Sequence, residues 1–312
     1  MVDLVHDHEI MIQFRAIAIP VFLSVGVFFG QLLLGAEGES DVVTGGVERE
    51  NGILFASPGG VDLLLDLYLP KGVENPPLLV FIHGGGWKGG DRAQCKTSWV
   101  ADHGYAVASI EYRLSQEALF PAQIHDCKGA LRWLRAHEEE YGYDASRVVV
   151  AGTSAGGHLV SLMGTSGEVV ALEGNTGGNE DQSSRVQGVI SYYGAHDFVK
   201  RSEMQPHKTD ESKGAVYLLL GGPVKENLEA ARAASPVTYV SEGDPPLLML
   251  HGDQDPTVLL RQSQIMHQVY EDAGLDTYLF VVAGGGHGFA KSAEEEALVL
   301  KFLEKHLRSG TE

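Results

Sequence analysis

The sequence contains very little cysteine. Cys95 and Cys127 are the only two in 312 residues, too few for a disulfide framework, and no spacing of cysteine and histidine is typical of a zinc site. Cys127 falls on the apolar face of a predicted helix, which favours a buried free thiol. A disulfide between the two cysteines is the alternative in an oxidising compartment. We expect neither a metal ion nor a cofactor.

Basic side chains are also scarce. The 23 lysines and arginines face 42 aspartates and glutamates, so the formal net charge is −19. A surface this acidic repels phosphate backbones, which argues against nucleic acid as a partner. The chain is 44% hydrophobic and 21% charged, an ordinary composition for a globular protein with a sizeable core. It contains no internal repeat, and its oligomeric state is left open.

One long apolar run lies near the start of the chain. Residues 14–34 read FRAIAIPVFLSVGVFFGQLLL and are followed by Gly35 and Ala36. A cationic start, an apolar stretch and a small-residue exit are typical of a secretory signal peptide over residues 1–36. This predicts a periplasmic or secreted protein with no stable membrane partner after cleavage. A permanent membrane anchor is the alternative, because the run has nearly the length that spans a bilayer.

Beyond a linker at residues 37–51, residues 52–312 alternate apolar runs with helical patterns. Residues 52–56 and 61–69 flank a Pro-Gly-Gly turn and predict an antiparallel hairpin. Helices are predicted at residues 121–141 and near the C-terminus, and alternation of this kind predicts a mostly parallel sheet covered on both faces. A polar insertion at about residues 194–237 is either a lid or wall of the substrate site or a solvated loop. Further strands are predicted at residues 77–83, 105–110, 147–152, 186–193, 246–251 and 277–282.

Four of these predicted strands are followed directly by polar, glycine-rich motifs: HGGGW at 83–87, GTSAGG at 152–157, HGDQDP at 251–256 and GGGHGF at 284–289. Ligand sites of parallel sheets lie at the carboxyl ends of the strands, so we expect the motifs to meet. A serine hydroxyl is a competent nucleophile when an imidazole takes its proton and a carboxylate orients that imidazole. Ser154, Asp255 and His287 supply these groups in the chain order of nucleophile-elbow hydrolases.

Together with YRL at 112–114 and FPA at 120–122, these motifs resemble the hormone-sensitive-lipase-like branch of α/β-hydrolase esterases. The chain is most similar to exported bacterial carboxylesterases, including feruloyl and acetyl-xylan esterases. The resemblance covers about residue 52 to the C-terminus. It implies an α/β-hydrolase fold with helices on both faces of a mostly parallel sheet, an N-terminal antiparallel hairpin and a small lid-like insertion.

The resemblance also implies a role for individual residues. Ser154 would be the nucleophile, His287 the general base and acid, and Asp255 the acid that orients the histidine. Backbone N–H groups would form the oxyanion hole, because bare backbone can approach a substrate closely. The residues implied for the oxyanion hole are Gly85, Gly86 and Ala155.

Other residues near the motifs have competing interpretations. Asp253 follows the same strand as Asp255, but the family's spacing to a following valine favours Asp255. His83 and His158 are expected to brace the structure rather than react, and Arg113 is expected to form a structural ion pair with Asp126. Three aromatic residues adjoin the motifs and could line an acyl or aryl pocket or belong to the core: Trp87, Tyr193 and Phe289.

The predicted function is a serine carboxylesterase that hydrolyses short-chain acyl, acetyl or feruloyl esters through an acyl-enzyme intermediate. Its substrate would be a small-molecule or oligosaccharide ester. An amide hydrolase of the arylformamidase or peptidase type is the alternative, since it would use the same three residues. A non-catalytic binding module on the same fold is a third possibility.

Overall fold

The computed structural model of the protein describes residues 45–308. The predicted signal peptide at residues 1–36 and residues 37–44 of the predicted linker lie outside these residues. Within the described part, no helix combines the length and the apolar character needed to cross a membrane.

Eight strands form one mixed sheet in the order β1-β2-β4-β3-β5-β6-β7-β8. The pairs β1–β2 and β2–β4 are antiparallel, and all other neighbours are parallel. The predicted mostly parallel sheet with an antiparallel N-terminal hairpin is therefore confirmed. The strands are β1 Val47–Ala56, β2 Leu63–Pro70, β3 Pro77–Ile82, β4 Ala106–Ile110, β5 Asp144–Thr153, β6 Gly188–Tyr192, β7 Leu247–Gly252 and β8 Thr277–Val282.

The first strand begins five residues earlier than the sequence predicts, at Val47 rather than residue 52. Residues 48–51 are Glu-Arg-Glu-Asn and are exposed. As an edge strand with one neighbour, β1 can carry such polar residues on its surface, and charges on an edge discourage pairing with other chains. Because these residues are polar, this part of the strand does not form an apolar run in the sequence.

Helices cover both faces of the sheet. The α-helices are α1 Ala122–Ala136, α2 Glu138–Tyr141, α3 Ala155–Thr165, α4 Phe198–Met204, α5 Pro206–Thr209, α6 Ala215–Leu220, α7 Leu228–Ala233, α8 Arg261–Asp272 and α9 Ala293–Leu307. Short 3₁₀ turns lie at Pro58–Gly60, Arg92–Gln94, Ser98–His103, Val170–Leu172, Val224–Glu226 and Pro236–Thr238.

The predicted helix over residues 121–141 is divided in two. The Nδ1–H group of His137 donates to the carbonyl of Trp133 at 2.8 Å. That carbonyl would accept the backbone N–H of residue 137 in a continuing helix. Helix α1 therefore ends at Ala136, and the short α2 follows it.

The sheet separates two hydrophobic cores. Side chains of β3 point alternately to the two faces, so that Leu78 and Val80 belong to the core beneath α1, α3 and α8, while Leu79 and Phe81 belong to the core beneath α9. All six residues of β3 are buried. A strand covered on both faces reads as a continuous apolar run, which is why the central strands are easily recognised in the sequence.

Candidate active site

Ser154 lies on the sharp turn between β5 and α3. Its backbone has φ 55° and ψ −111°, a strained conformation for a residue with a side chain. Its N–H donates to the carbonyl of Tyr192 on the neighbouring strand at 2.8 Å. A Cβ atom on Gly156 would lie 2.0 Å from the carbonyl oxygen of Ile82, so glycine permits α3 to begin this close to β3.

The three predicted catalytic residues form a connected hydrogen-bond chain. Nε2 of His287 lies 2.9 Å from Oγ of Ser154, and Nδ1 lies 2.7 Å from Oδ2 of Asp255. A carboxylate can only accept, so Nδ1 carries the proton and Nε2 is free to accept the serine hydroxyl proton. This is the arrangement by which an imidazole activates a serine.

The carboxylate of Asp255 is buried and fully hydrogen-bonded. Oδ1 accepts the N–H groups of Thr257 at 2.8 Å and Val258 at 3.0 Å, and Nε2 of His251 lies 3.3 Å from Oδ2. Burial by itself would raise the pKa of Asp255, but the contacts with His251, His287 and the Val258 N–H hold it well below its usual range. The group is therefore ionised at neutral pH and can stabilise a positive charge on His287.

Asp253 has a different position from Asp255. It is exposed, and its Oδ1 accepts the N–H of Gly284 at 2.8 Å. This bond ties the end of β7 to the loop that carries His287. In this geometry Asp255, and not Asp253, contacts the histidine.

The HGGGW loop faces the serine turn. Gly85 has φ 111°, and a Cβ atom on it would lie 2.1 Å from the carbonyl oxygen of Gly89. Gly85 and Gly86 line the same cavity as Ser154 and Ala155. Among residues 45–308, the backbone N–H groups of these two glycines and of Ala155 have no protein hydrogen-bond acceptor. They are available as donors to a bound ligand.

His83 and Tyr112 brace this loop. Nδ1–H of His83 donates to the carbonyl of Gly84 at 2.7 Å, and its ring stacks on Tyr112 with 4.4 Å between centroids. Burial lowers the pKa of His83, so the ring is neutral at physiological pH. His83 thus supports the loop and does not contact the serine, as the sequence predicts.

His158 joins three parts of the site. Its Nε2–H donates to the carbonyl of Ala234 at 2.7 Å, and its Nδ1 accepts the indole N–H of Trp87 at 3.2 Å. Burial lowers the pKa of His158 to about 4. This neutral histidine on α3 fixes the HGGGW loop and the insertion relative to the serine turn, which agrees with the structural role expected for it.

A cavity of about 570 Å³ opens in front of Ser154. Trp87 and Tyr193 line it, and the Tyr193 ring contacts the His287 ring edge to face at 4.7 Å. For Phe289, the sequence leaves a pocket wall and the core as alternatives, and the structure places its ring against Tyr193 at 5.5 Å, packed on the core, with Tyr193 as the cavity wall.

The insertion at residues 194–237 forms one side of this cavity. It folds into α4, α5, α6 and α7, and seven of its residues between Ala195 and Ala215 line the cavity. The sequence leaves open whether this segment is a lid or wall of the site or a solvated loop. In the structure it is a wall of the cavity.

Two side chains beside the site are not singled out by the sequence. His251 is the next-to-last residue of β7. It donates through Nε2–H to the carbonyl of Val258 at 2.8 Å and pairs its Nδ1 with the Ser263 hydroxyl at 2.8 Å. Arg201 on α4 is buried and lines the cavity. His251 is the first residue of the HGDQDP motif and could have been noticed, whereas Arg201 lies in a polar stretch with no motif.

The predicted ion pair between Arg113 and Asp126 is present. Nε and Nη2 of Arg113 donate to the two carboxylate oxygens at 2.8 and 2.7 Å, and the Arg113 N–H donates to one of them at 2.9 Å. The side chain of Asp126 is completely buried. Cys95 and Cys127 are free thiols, and Cys127 is buried. Among residues 45–308, no group of three or more His, Cys, Asp or Glu side chains is arranged to hold a metal ion.

Ser154 lies on a sharp turn after β5, Asp255 follows β7 and His287 follows β8. In a sheet of this strand order, this arrangement defines the class of the protein as an α/β-hydrolase fold. Within that class, the chain belongs to the BD-FAE family, whose model matches residues 65–270.

Several known proteins are similar to this chain. Esterase LipQ of Mycobacterium tuberculosis is 31% identical over 237 residues, which are 74% of this chain and 55% of that protein. The structure of a truncated carbohydrate esterase from gut microbiota is 27% identical, with a TM-score of 0.77 over 84% of this chain and 97% of that one. A bifunctional GH43-CE protein of Bacteroides eggerthii is 32% identical, with a TM-score of 0.75 over 83% of this chain and 35% of that one. The chain spans about half the length of the curated relatives it matches.

Proposed function

We propose that the protein is a serine carboxylesterase. The observation that carries this proposal is the connected chain from Ser154 to His287 to Asp255, with distances of 2.9 and 2.7 Å. Free backbone N–H groups beside the serine support it, because they can stabilise an oxyanion. The names of the relatives, which include esterases and a carbohydrate esterase, also support it.

The geometry suits a two-step reaction with an acyl-enzyme intermediate. In the first step Oγ of Ser154 bonds to the ester carbonyl carbon as Nε2 of His287 takes the hydroxyl proton, and the carbonyl electron pair moves to oxygen. The oxyanion faces the N–H groups of Gly85, Gly86 and Ala155. One such donor contributes roughly 10²–10³-fold to turnover in enzymes of this kind.

The product of this attack is a tetrahedral intermediate. Its collapse breaks the ester C–O bond, the alcohol leaves with the proton held by His287, and the acyl group remains bonded to Ser154. A water molecule then gives a proton to His287 and attacks the acyl carbon. The acid is released when the bond to Ser154 breaks and the serine oxygen recovers the proton. Asp255 keeps the imidazole oriented and balances its positive charge in both steps.

For the substrate we propose a short-chain acyl, acetyl or feruloyl ester of a small molecule or an oligosaccharide. The cavity of about 570 Å³ is large enough for a small acyl or aryl group. Similarity to a carbohydrate esterase supports a sugar on the alcohol side.

The experiment that tests the proposed function combines labelling with turnover. A fluorophosphonate should label the purified wild-type protein and not Ser154→Ala, while Ser146→Ala, which changes an exposed serine far along β5, should label normally. Wild type should also hydrolyse 4-nitrophenyl acetate faster than 4-nitroacetanilide. A preference for the anilide would indicate an amidase, and a folded wild-type protein that is neither labelled nor active would indicate a binding module.

We propose further that residues 1–36 direct export and that the mature protein is periplasmic or secreted. The apolar run at residues 14–34 supports this. Expression of the full chain followed by fractionation and N-terminal mass spectrometry tests it. Cleaved protein outside the cytoplasm is the expected result, whereas an intact N-terminus in the membrane fraction would indicate an anchor.

A further inference from the structure

The charge of the cavity is opposite to the charge of the protein. The chain as a whole has a formal net charge of −19. No aspartate or glutamate of residues 45–308 lines the cavity, whereas five lysine and arginine side chains do. These basic residues are Lys88, Lys96, Arg201, Lys208 and Lys213. Clefts lined by one sign of charge concentrate ligands of the opposite sign.

Arg201 is the most informative of these residues because it is buried without an anionic partner. It is 3% exposed, and Nη2 donates to the carbonyl of Thr257 at 2.9 Å. Its Nε has no hydrogen-bond partner, and among residues 45–308 no carboxylate oxygen lies within 4 Å of its guanidinium. Burial lowers the pKa of Arg201 to about 10, so the group is still charged at neutral pH.

A buried charge without a counter-ion is unfavourable for folding. Asp255 attracts Arg201 electrostatically, but the Asp255 oxygens already accept bonds from Thr257, Val258 and His287. The unpaired guanidinium therefore has donors left for a ligand in the cavity, and a planar guanidinium matches a carboxylate in geometry and charge.

The lysines of the cavity extend this pattern. Lys88 and Lys96 belong to the segment that follows the HGGGW loop, and Lys208 and Lys213 belong to the insertion. Lys96 donates to the hydroxyl of Tyr193 at 3.2 Å. In the described part of the chain none of the four has a carboxylate oxygen within 4 Å. Five lysines that do not line the cavity have one: Lys71, Lys128, Lys200, Lys291 and Lys305.

We propose that the ester hydrolysed at this site also bears a free carboxylate, which Arg201 binds and the surrounding lysines attract. The inference rests on the proposed esterase function and narrows its substrate class to esters of acidic molecules. The carboxylate could belong to the alcohol half, as in an esterified uronic acid residue of an oligosaccharide, or to the acyl half, as in a half-ester of a dicarboxylic acid.

Matched pairs of substrates test the proposal. For the alcohol half, 4-acetoxybenzoate is compared with 4-acetoxybenzamide, which has the same shape and no charge. For the acyl half, the mono-4-nitrophenyl ester of adipic acid is compared with that of adipamic acid. In at least one pair, KM for the carboxylate should be about tenfold lower than KM for the amide, and the ratio should shrink between low salt and about 0.5 M salt.

Three variants assign the preference to the cavity. Arg201→Gln should remove most of it, and the double variant Lys208→Gln, Lys213→Gln should reduce it several-fold. Lys200→Gln is the matched control, because Lys200 lies on the same helix as Arg201 and pairs with Glu203 at 3.0 Å. It should leave the preference unchanged. If Arg201→Gln does not fold, the double variant decides the result, since neither Lys208 nor Lys213 is buried.

The outcomes separate this inference from the proposed function. Turnover of the neutral amides with no preference for either carboxylate would overturn the inference and leave the esterase proposal intact. If no ester is cleaved, the esterase proposal fails. In that case the dissociation constants of 4-acetoxybenzoate and 4-acetoxybenzamide for Ser154→Ala test whether the cavity binds a carboxylate. Equal constants would overturn the inference.

Discussion

Replacement of Asp255 by asparagine should nearly abolish turnover without unfolding the protein. The N–H groups of Thr257 and Val258 both point at Oδ1, so they select the amide oxygen of the asparagine for that position. The amide NH₂ then occupies the position of Oδ2 and faces Nδ1 of His287. Two donors cannot face each other, so His287 must carry its proton on Nε2, where it can no longer accept the proton of Ser154.

The expected size follows from this change of tautomer. The variant loses both the orientation of the histidine and the charge that balances its protonated form. A loss of this kind lowers kcat by about 10⁴-fold in a serine protease, which corresponds to about 5 kcal/mol in the barrier. The measurement is kcat for 4-nitrophenyl acetate, with circular dichroism and thermal melting to verify that the variant is folded.

Asp253→Asn is the matched control, because it follows the same strand but contacts Gly284 rather than the histidine. Its kcat should stay within about threefold of wild type, since an amide oxygen can still accept the Gly284 N–H. A folded Asp255→Asn protein with more than a tenth of wild-type kcat would refute the reasoning. So would a larger loss in Asp253→Asn than in Asp255→Asn.

Two further predictions concern stability. Arg113→Ala should lower the free energy of unfolding by about 3 to 5 kcal/mol, because it leaves the buried carboxylate of Asp126 without its cationic partner. Turnover per folded molecule of Arg113→Ala should be nearly unchanged. The control Lys200→Ala, at an exposed ion pair, should lower the free energy of unfolding in urea by less than about 1 kcal/mol. Loss of turnover in Arg113→Ala at full stability would contradict the structural role of Arg113. His158 is the second case, with a pKa lowered from 6.5 to about 4 by burial. As pH falls from 6.5 to 4 the unfolded chain binds a proton that the folded chain does not, so stability should fall by roughly 3 kcal/mol from this group. Urea unfolding at several pH values should show a weaker decrease in His158→Gln but not in His207→Gln; equal decreases in all three proteins would refute it.

The central sheet and the three site residues could be predicted because local patterns carry them. Strands β3 and β7 and residues 148–153 of β5 are buried on both faces and therefore appear as nearly continuous apolar runs. The motifs with Ser154 and Asp255 directly follow β5 and β7, and the motif with His287 follows β8, a half-buried edge strand. The parallel arrangement of these strands brings the three motifs to one edge of the sheet. The edge strand β1 begins five residues before its predicted start, because an exposed strand does not need apolar residues.

Other features depend on individual side-chain contacts, one between residues distant in the chain and one within a single helical turn. Phe289 adjoins His287 in sequence, yet its ring packs on Tyr193. The end of helix α1 depends on a side chain of His137 that bonds to a carbonyl one turn earlier. No periodicity of apolar residues reports either contact, since periodicity reports only which face of an element is buried.

Local pattern and composition suffice to predict the order of strands and helices along the chain, the motifs that meet at the carboxyl ends of the strands and the acidity of the surface. The tertiary structure is needed to show the contacts of the acids, because the path of the turn after β7 leaves no local pattern: Asp255 contacts His287 at 2.7 Å, whereas Asp253, two residues earlier, is exposed and accepts from Gly284. It also decided the charge of the cavity. Arg201 comes from the insertion and Lys96 from a loop more than a hundred residues earlier, and only folding brings such cations together in front of Ser154.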